Sequence, residues 1–91
     1  AHLGGTAIDR AVLTKKVFPS GLPGNVWMEC STMRLPDLLR DLVDYYGRDR
    51  VLYGTDLPFS DMRTTWPVIE LAGLAEDEDF LWKNAHRMLK L

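Results

Sequence analysis

The run Val51-Leu52-Tyr53-Gly54-Thr55-Asp56-Leu57-Pro58-Phe59 constrains this chain most, because a β-branched and aromatic stretch stops abruptly at a carboxylate followed by a proline turn. Entered from the charged turn Gly47-Arg48-Asp49-Arg50, it reads as a short buried strand that delivers Asp56 to the carboxyl edge of a sheet. In α/β proteins, substrates and metals gather outside the carboxyl ends of the strands, so a carboxylate there is a ligand or acid/base candidate. The alternative is structural: Asp56 caps the turn before Pro58, as Asp does at many turns. This stretch alone leaves both readings open.

The preceding chain supplies what such a strand needs beside it. His2-Leu3-Gly4-Gly5 puts an imidazole before two glycines, a backbone able to turn sharply and to approach a ligand closely. If Ala1 and His2 end a strand, His2 lies at the same sheet edge as Asp56. Thr6 can cap a helix in which Ile8, Ala11 and Val12 recur at helical spacing, and Phe18-Pro19-Ser20-Gly21-Leu22-Pro23-Gly24 ends it as a surface loop. Asn25 to Ser31 reads as a second strand, with Val26, Met28 and Cys30 on one face and Trp27, Glu29 and Ser31 on the other. A carboxylate in so apolar a strand requires a partner or water, and Glu29 with Ser31 is read as lining a polar pocket rather than an exposed edge. Cys30 is read as a small buried hydrophobe, because no base adjoins it in sequence.

The clearest helix follows. Leu35, Leu38, Leu39, Leu42, Val43 and Tyr46 fall on one helical face, Pro36 suits the first turn, and Gly47 suits the carboxyl cap. Asp37, Arg40, Asp41 and Asp44 form the wet face. The order is thus strand, helix, strand, helix, strand. A crossover unit takes roughly 30 residues, so parallel strands joined by right-handed crossovers are expected. Beyond Asp56, Asp61 and Arg63 are read as pairing with each other, and Thr65 or Trp66 as capping a helix with Pro67 in its first turn that buries Val68, Ile69 and Ala72 and ends at Gly73. The last segment runs from Glu76-Asp77-Glu78-Asp79 to Lys83, His86, Arg87 and Lys90, a polarity that complements a helix dipole. Its expected buried stripe is Leu81, Ala85, Met88 and Leu89, with His86 on the surface and Asn84 as a local hydrogen-bonding device.

At 91 residues and 46% hydrophobic, the chain holds one small domain with a modest core, residues 1–91. A net charge of -2 offers no basic patch for nucleic acid or an anionic membrane surface. The single cysteine rules out an internal disulfide and fits a reducing, cytoplasmic compartment. The opening Ala1-His2-Leu3-Gly4-Gly5 looks like the end of a strand and suggests a piece of a longer polypeptide.

Taken together, His2-Leu3-Gly4-Gly5, Val26-Trp27-Met28-Glu29-Cys30-Ser31, Arg50 through Phe59 and Asn84-Ala85-His86-Arg87-Met88-Leu89 resemble the carboxyl-terminal part of the amidohydrolase-related metal-dependent hydrolases. These are TIM barrels of the aminocarboxymuconate semialdehyde decarboxylase type. The best single piece is Gly54-Thr55-Asp56-Leu57-Pro58-Phe59, close to the family's Gly-Ser-Asp-x-Pro-Phe, with Thr55 a mild departure. The resemblance implies an α/β fold that is the carboxyl-terminal portion of a (β/α)8 TIM barrel, about three βα units and strands six to eight of the parent fold. It implies that Asp56 is a metal ligand and that His2 lies beside a metal-bound water as acid/base or, in two-metal members, as a ligand. The divalent metal it implies is zinc, acting on a small-molecule substrate in the full-length protein.

The family's His-x-His of the first strand and the histidine of the fifth have no counterpart here, since His2 and His86 are the only histidines. A catalytic zinc site normally takes three protein ligands, so the isolated chain is expected to bind metal weakly and to turn nothing over. The competing expectation is a truncated, non-enzymatic α/β module that self-associates through its exposed sheet. Upstream sequence carrying a His-x-His strand favours the enzyme, and a start codon directly before Ala1 favours the module.

Overall fold

The structure, a computed structural model, describes Leu3 and residues 16–91. Its centre is a parallel pair of short strands, β1 (Met28–Glu29) and β2 (Val51–Leu52), with Met28 opposite Val51 and Glu29 opposite Leu52. The Met28 amide donates to Arg50 O at 3.0 Å and the Cys30 amide to Leu52 O at 3.1 Å, which extends the ladder one residue before β2 and one residue beyond β1. The strands are shorter than the sequence suggests because neighbouring backbone groups have other partners. The Val26 amide closes a turn on Pro23 O, the Arg50 guanidinium takes the carbonyls of Pro23 and Val26, and the Tyr53 amide donates to Phe80 O. Arg50 also lies over the Trp27 ring, 4.9 Å from its centroid.

Helix α1 (Pro36–Tyr46) makes the crossover and follows its sequence pattern closely. Leu39, Leu42, Val43 and Tyr46 are buried, whereas Leu35 sits at the amino cap and stays exposed. Gly47 ends the helix at φ 102°, where a side chain would be strained, and its amide returns to Val43 O at 2.9 Å. The Tyr45 hydroxyl donates to Phe18 O at 2.9 Å and ties the Pro-Gly loop to the helix. Arg40, expected only to face water, also reaches across to the Ala72 carbonyl at 3.3 Å.

Helix α2 (Met62–Leu71) starts earlier than its proline implies. The cap is Asp61, whose carboxylate accepts from the Arg63 amide at 2.8 Å, rather than Thr65 or Trp66. An aspartate can satisfy a free amide of the first turn, and that gain fixes the helix start. Pro67 therefore lies inside the helix, where it removes one backbone donor. Ile69 and Ala72 are buried as expected, and Gly73 at φ 74° ends the segment while Leu74 turns fully into the core.

The terminal segment departs most from its expected register. A π-helical turn, Asp79–Lys83, precedes helix α3 (Asn84–Met88). The wider turn shifts the inward face, so Phe80 and Asn84 are the buried residues, Leu81 is half-buried against the core, and Leu89, expected in the buried stripe, is 61% exposed. Asn84 does bond locally, its Oδ1 accepting from the Arg87 guanidinium, and it also reaches well beyond its own helix. Its amide donates to Arg48 O at 2.6 Å and to Val51 O at 2.9 Å, pinning the terminal helix to the start of β2.

The core joins Leu3, Met28, Cys30 and Val51 to the apolar sides of α1, α2 and the terminal segment. Among the described residues, no helix is long and apolar enough to cross a membrane. The expected strand at Ala1 and His2 and the helix following Thr6 lie outside the described residues, except that Lys16 and Val17 are helical and the path breaks at Phe18. Asn84→Ala should cost about 2–4 kcal/mol, since it leaves two inward carbonyls without their donor. Urea denaturation of the variant measures it, and a loss below about 1 kcal/mol would contradict the pinning role.

Candidate functional site at the carboxyl edge of the strands

Alternation along the two strands sorts their side chains. Met28, Cys30 and Val51 enter the core with the helices, which puts Glu29, Leu52 and Gly54 on the opposite face. Both strands then leave the sheet through left-handed residues, Thr32 at φ 67° and Asp56 at φ 60°. Asp tolerates this conformation well, and a β-branched Thr does not.

Asp56 is half-buried and lies four residues past the end of β2, not at the last residue of a strand as the sequence suggests. The turn after it is closed by its main-chain carbonyl, which accepts from the Phe59 amide at 2.8 Å and the Ser60 amide at 3.1 Å. The Leu57–Pro58 peptide is cis, and Leu57 and Phe59 stand out into solvent. His2 lies outside the described residues, so its distance from Asp56 is not part of this geometry.

Glu29 and Ser31 are brought together. The Ser31 amide donates to Glu29 Oε1 at 2.5 Å, and its hydroxyl donates to Oε2 at 2.7 Å. Ser31 is buried and Glu29 partly so. Gly54 lies against the Glu29 carboxylate: a Cβ there would run into Oε1 and the carboxyl carbon of Glu29. Sequence reasoning passed over Gly54 as part of a motif. A glycine inside a strand is itself a signal of close approach, and this one bears that out.

Cys30 is the buried hydrophobe expected of it. Burial pushes its thiol up from 9.0 to about 12, the Gly54 carbonyl that accepts from Sγ at 4.0 Å pulls the other way, and the charge of Glu29 adds to the rise. A thiol so protonated is no nucleophile at neutral pH. Asp61 and Arg63 pair with each other at 2.8 Å in the open, and the guanidinium holds the Asp61 carboxyl below its ordinary range. His86 is exposed, its ring edge-on to Trp82 at 6.1 Å.

With this geometry in view, comparison with known proteins is informative. The amidohydrolase family model matches residues 1–91. The chain belongs to the amidohydrolase family. A curated relative, the 2-amino-3-carboxymuconate-6-semialdehyde decarboxylase of Caenorhabditis elegans, is 34% identical over 80 residues, covering 84% of this chain and 20% of the relative. The chain thus spans about a fifth of that relative's length. No solved structure matches it. Amidohydrolase members are generally metal-dependent. Among the described residues, however, no three His, Cys, Asp or Glu side chains come together as a metal site, so Asp56 and its surroundings do not by themselves fit a bound ion.

The state of Cys30 is directly checkable. In the native protein at pH 8 it should resist iodoacetamide, and it should react fully once urea unfolds the chain, because the protonated thiol becomes exposed and regains its ordinary acidity. Rapid native labelling by mass spectrometry would overturn its assignment to the core.

Proposed function

We propose that these residues form the carboxyl-terminal part of a (β/α)8-barrel hydrolase or decarboxylase, about three βα units that include strands six to eight of the barrel. The observation that carries the reading is Asp56, held at the carboxyl edge of β2 in a chain that the family model matches throughout. That edge is where barrel enzymes assemble their sites. The length of the strand–helix–strand unit from Met28 to Leu52 and its parallel pairing also suit a barrel wall.

In the whole protein, Asp56 is this segment's metal ligand, and zinc is the ion we expect. His2 acts as the acid/base at the same edge. Glu29 and Ser31 line the pocket for a small-molecule substrate. The relative's named substrate, 2-amino-3-carboxymuconate-6-semialdehyde, is the first compound to assay. Loss of a ligand and loss of a proton carrier have different signatures. In the full-length protein, Asp56→Ala should lose metal and activity together, whereas His2→Ala should keep its metal and lose about a hundred- to ten-thousandfold in turnover. Metal content by mass spectrometry beside steady-state rates decides it, and two variants that retain metal and most activity would refute the site.

The isolated chain should also self-associate. Among the described residues the two-stranded sheet is short, and the backbone edges of β1 and β2 that do not pair with each other are available to a second strand. Sedimentation of the dilute chain should show dimers or larger species, and a compact, cooperatively unfolding monomer would count against this.

A further inference from the structure

Trp82, His86 and Leu89 fall at helical spacing along the terminal segment, and all three are exposed, Trp82 by 51% and Leu89 by 61%. The Trp82 and His86 rings meet edge to face with centroids 6.1 Å apart, so they share one side of the helix. Apolar residues scattered singly over a surface are ordinary, whereas a row of them rimmed by charge marks a contact surface. The charges here are ordered along the row. Glu76, Asp77, Glu78 and Asp79 precede it, and Lys83, Arg87 and Lys90 run beside and past it. Lys83 pairs with Glu78 at 2.7 Å and Arg87 with Asp79 at 3.0 Å, and both pairs stay open to solvent. Among the described residues, Glu76 and Lys90, one at each end, have no ion-pair partner.

This order decides which way a partner helix runs. Helices tend to carry acids in their first turn and bases in their last, so a neighbour running the same way sets acid beside acid and base beside base. Helices that follow successive strands of a barrel run the same way. A second copy turned about a twofold axis across the helix runs the opposite way and sets each acidic start beside a basic end. We propose that the row of Trp82, His86 and Leu89 is the contact surface for a second copy of this protein, docked antiparallel, with Glu76 of each copy facing Lys90 of the other. Positions 76 and 90 are centred on Lys83, so the axis passes beside Trp82 and the two indole rings meet across it. The preference for a second copy over a neighbouring barrel helix rests on the barrel reading, and the exposed row does not.

The test uses the full-length protein, where barrel closure pairs the sheet edges and removes them as a route to association. Sedimentation should show a dimer. Trp82→Glu should weaken it at least about tenfold and leave the denaturation midpoint of the dissociated protein unchanged. Glu76→Lys and Lys90→Glu should each weaken it roughly tenfold, because the axis makes every contact twice, and the two together should return it to within about threefold of the wild type. A dimer that withstands Trp82→Glu is built elsewhere and overturns the proposal. Single reversals that the double variant does not repair overturn the antiparallel pairing. A monomeric wild type also overturns it, and a midpoint that then falls with Trp82→Glu shows the same polypeptide covering the row. The Asp56 and His2 variants judge the barrel reading separately.

Discussion

The parallel pairing of β1 and β2 is the constraint on which the rest depends. Two parallel neighbours cannot be joined by a tight turn, so the chain between them must cross over, and α1 is that crossover. The helix brings Leu39, Leu42, Val43 and Tyr46 onto Met28, Cys30 and Val51, and burial of these side chains is what fixes the register. The ladder itself contributes few bonds. Side chains extend its hold: Arg50 gathers the carbonyls before β1, and Asn84 gathers those at the entry to β2.

Committing one set of alternate side chains to the core turns the other set away from it. With Met28, Cys30 and Val51 committed to the core, Glu29, Leu52 and Gly54 point the other way, and a left-handed residue follows a few positions after each strand. A β-branched Thr32 at φ 67° costs on the order of 1–3 kcal/mol, a burden more common at functional edges than in ordinary loops. The firmly packed helical side offsets it. The same division explains the two polar residues of the carboxyl edge that differ in fate: Ser31 is buried and spends its donors on Glu29, and Glu29 keeps part of its surface.

The terminal segment shows how a single local change propagates. The π-helical turn at Asp79–Lys83 brings Phe80 to the core, where its ring packs against Tyr53 at 6.0 Å and its carbonyl takes the Tyr53 amide. One turn later it presents Asn84, not Leu81 or Ala85, to the carbonyls of β2. On the outside, Arg40 to Ala72 O and Arg48 to Asp77 at 3.1 Å lace α1 to the segments that follow it. The first is a hydrogen bond to a backbone carbonyl and the second an ion pair at the surface, and both hold the connections in one arrangement.

The sequence by itself determined the features that local chemistry dictates. Proline in the first turn, a leucine stripe and a closing glycine specify α1 to within a residue, and the Gly-Thr-Asp-x-Pro-Phe run is the best single mark of the family, although the strand before it ends earlier than its pattern suggests. Where local signals compete, the pattern misled: Pro67 pointed to a later helix start, yet the Asp61 carboxylate offers the first amides a better partner. Tertiary structure alone decided the rest. Whether Glu29 lies on Gly54, whether Asn84 reaches the carbonyls of Arg48 and Val51, and which stripe of the last helix turns inward depend on residues 25 to 36 positions apart. No periodicity along the chain encodes those meetings, because a side chain's partner across a sheet or between helices is set by packing, and packing exists only once the whole segment has folded.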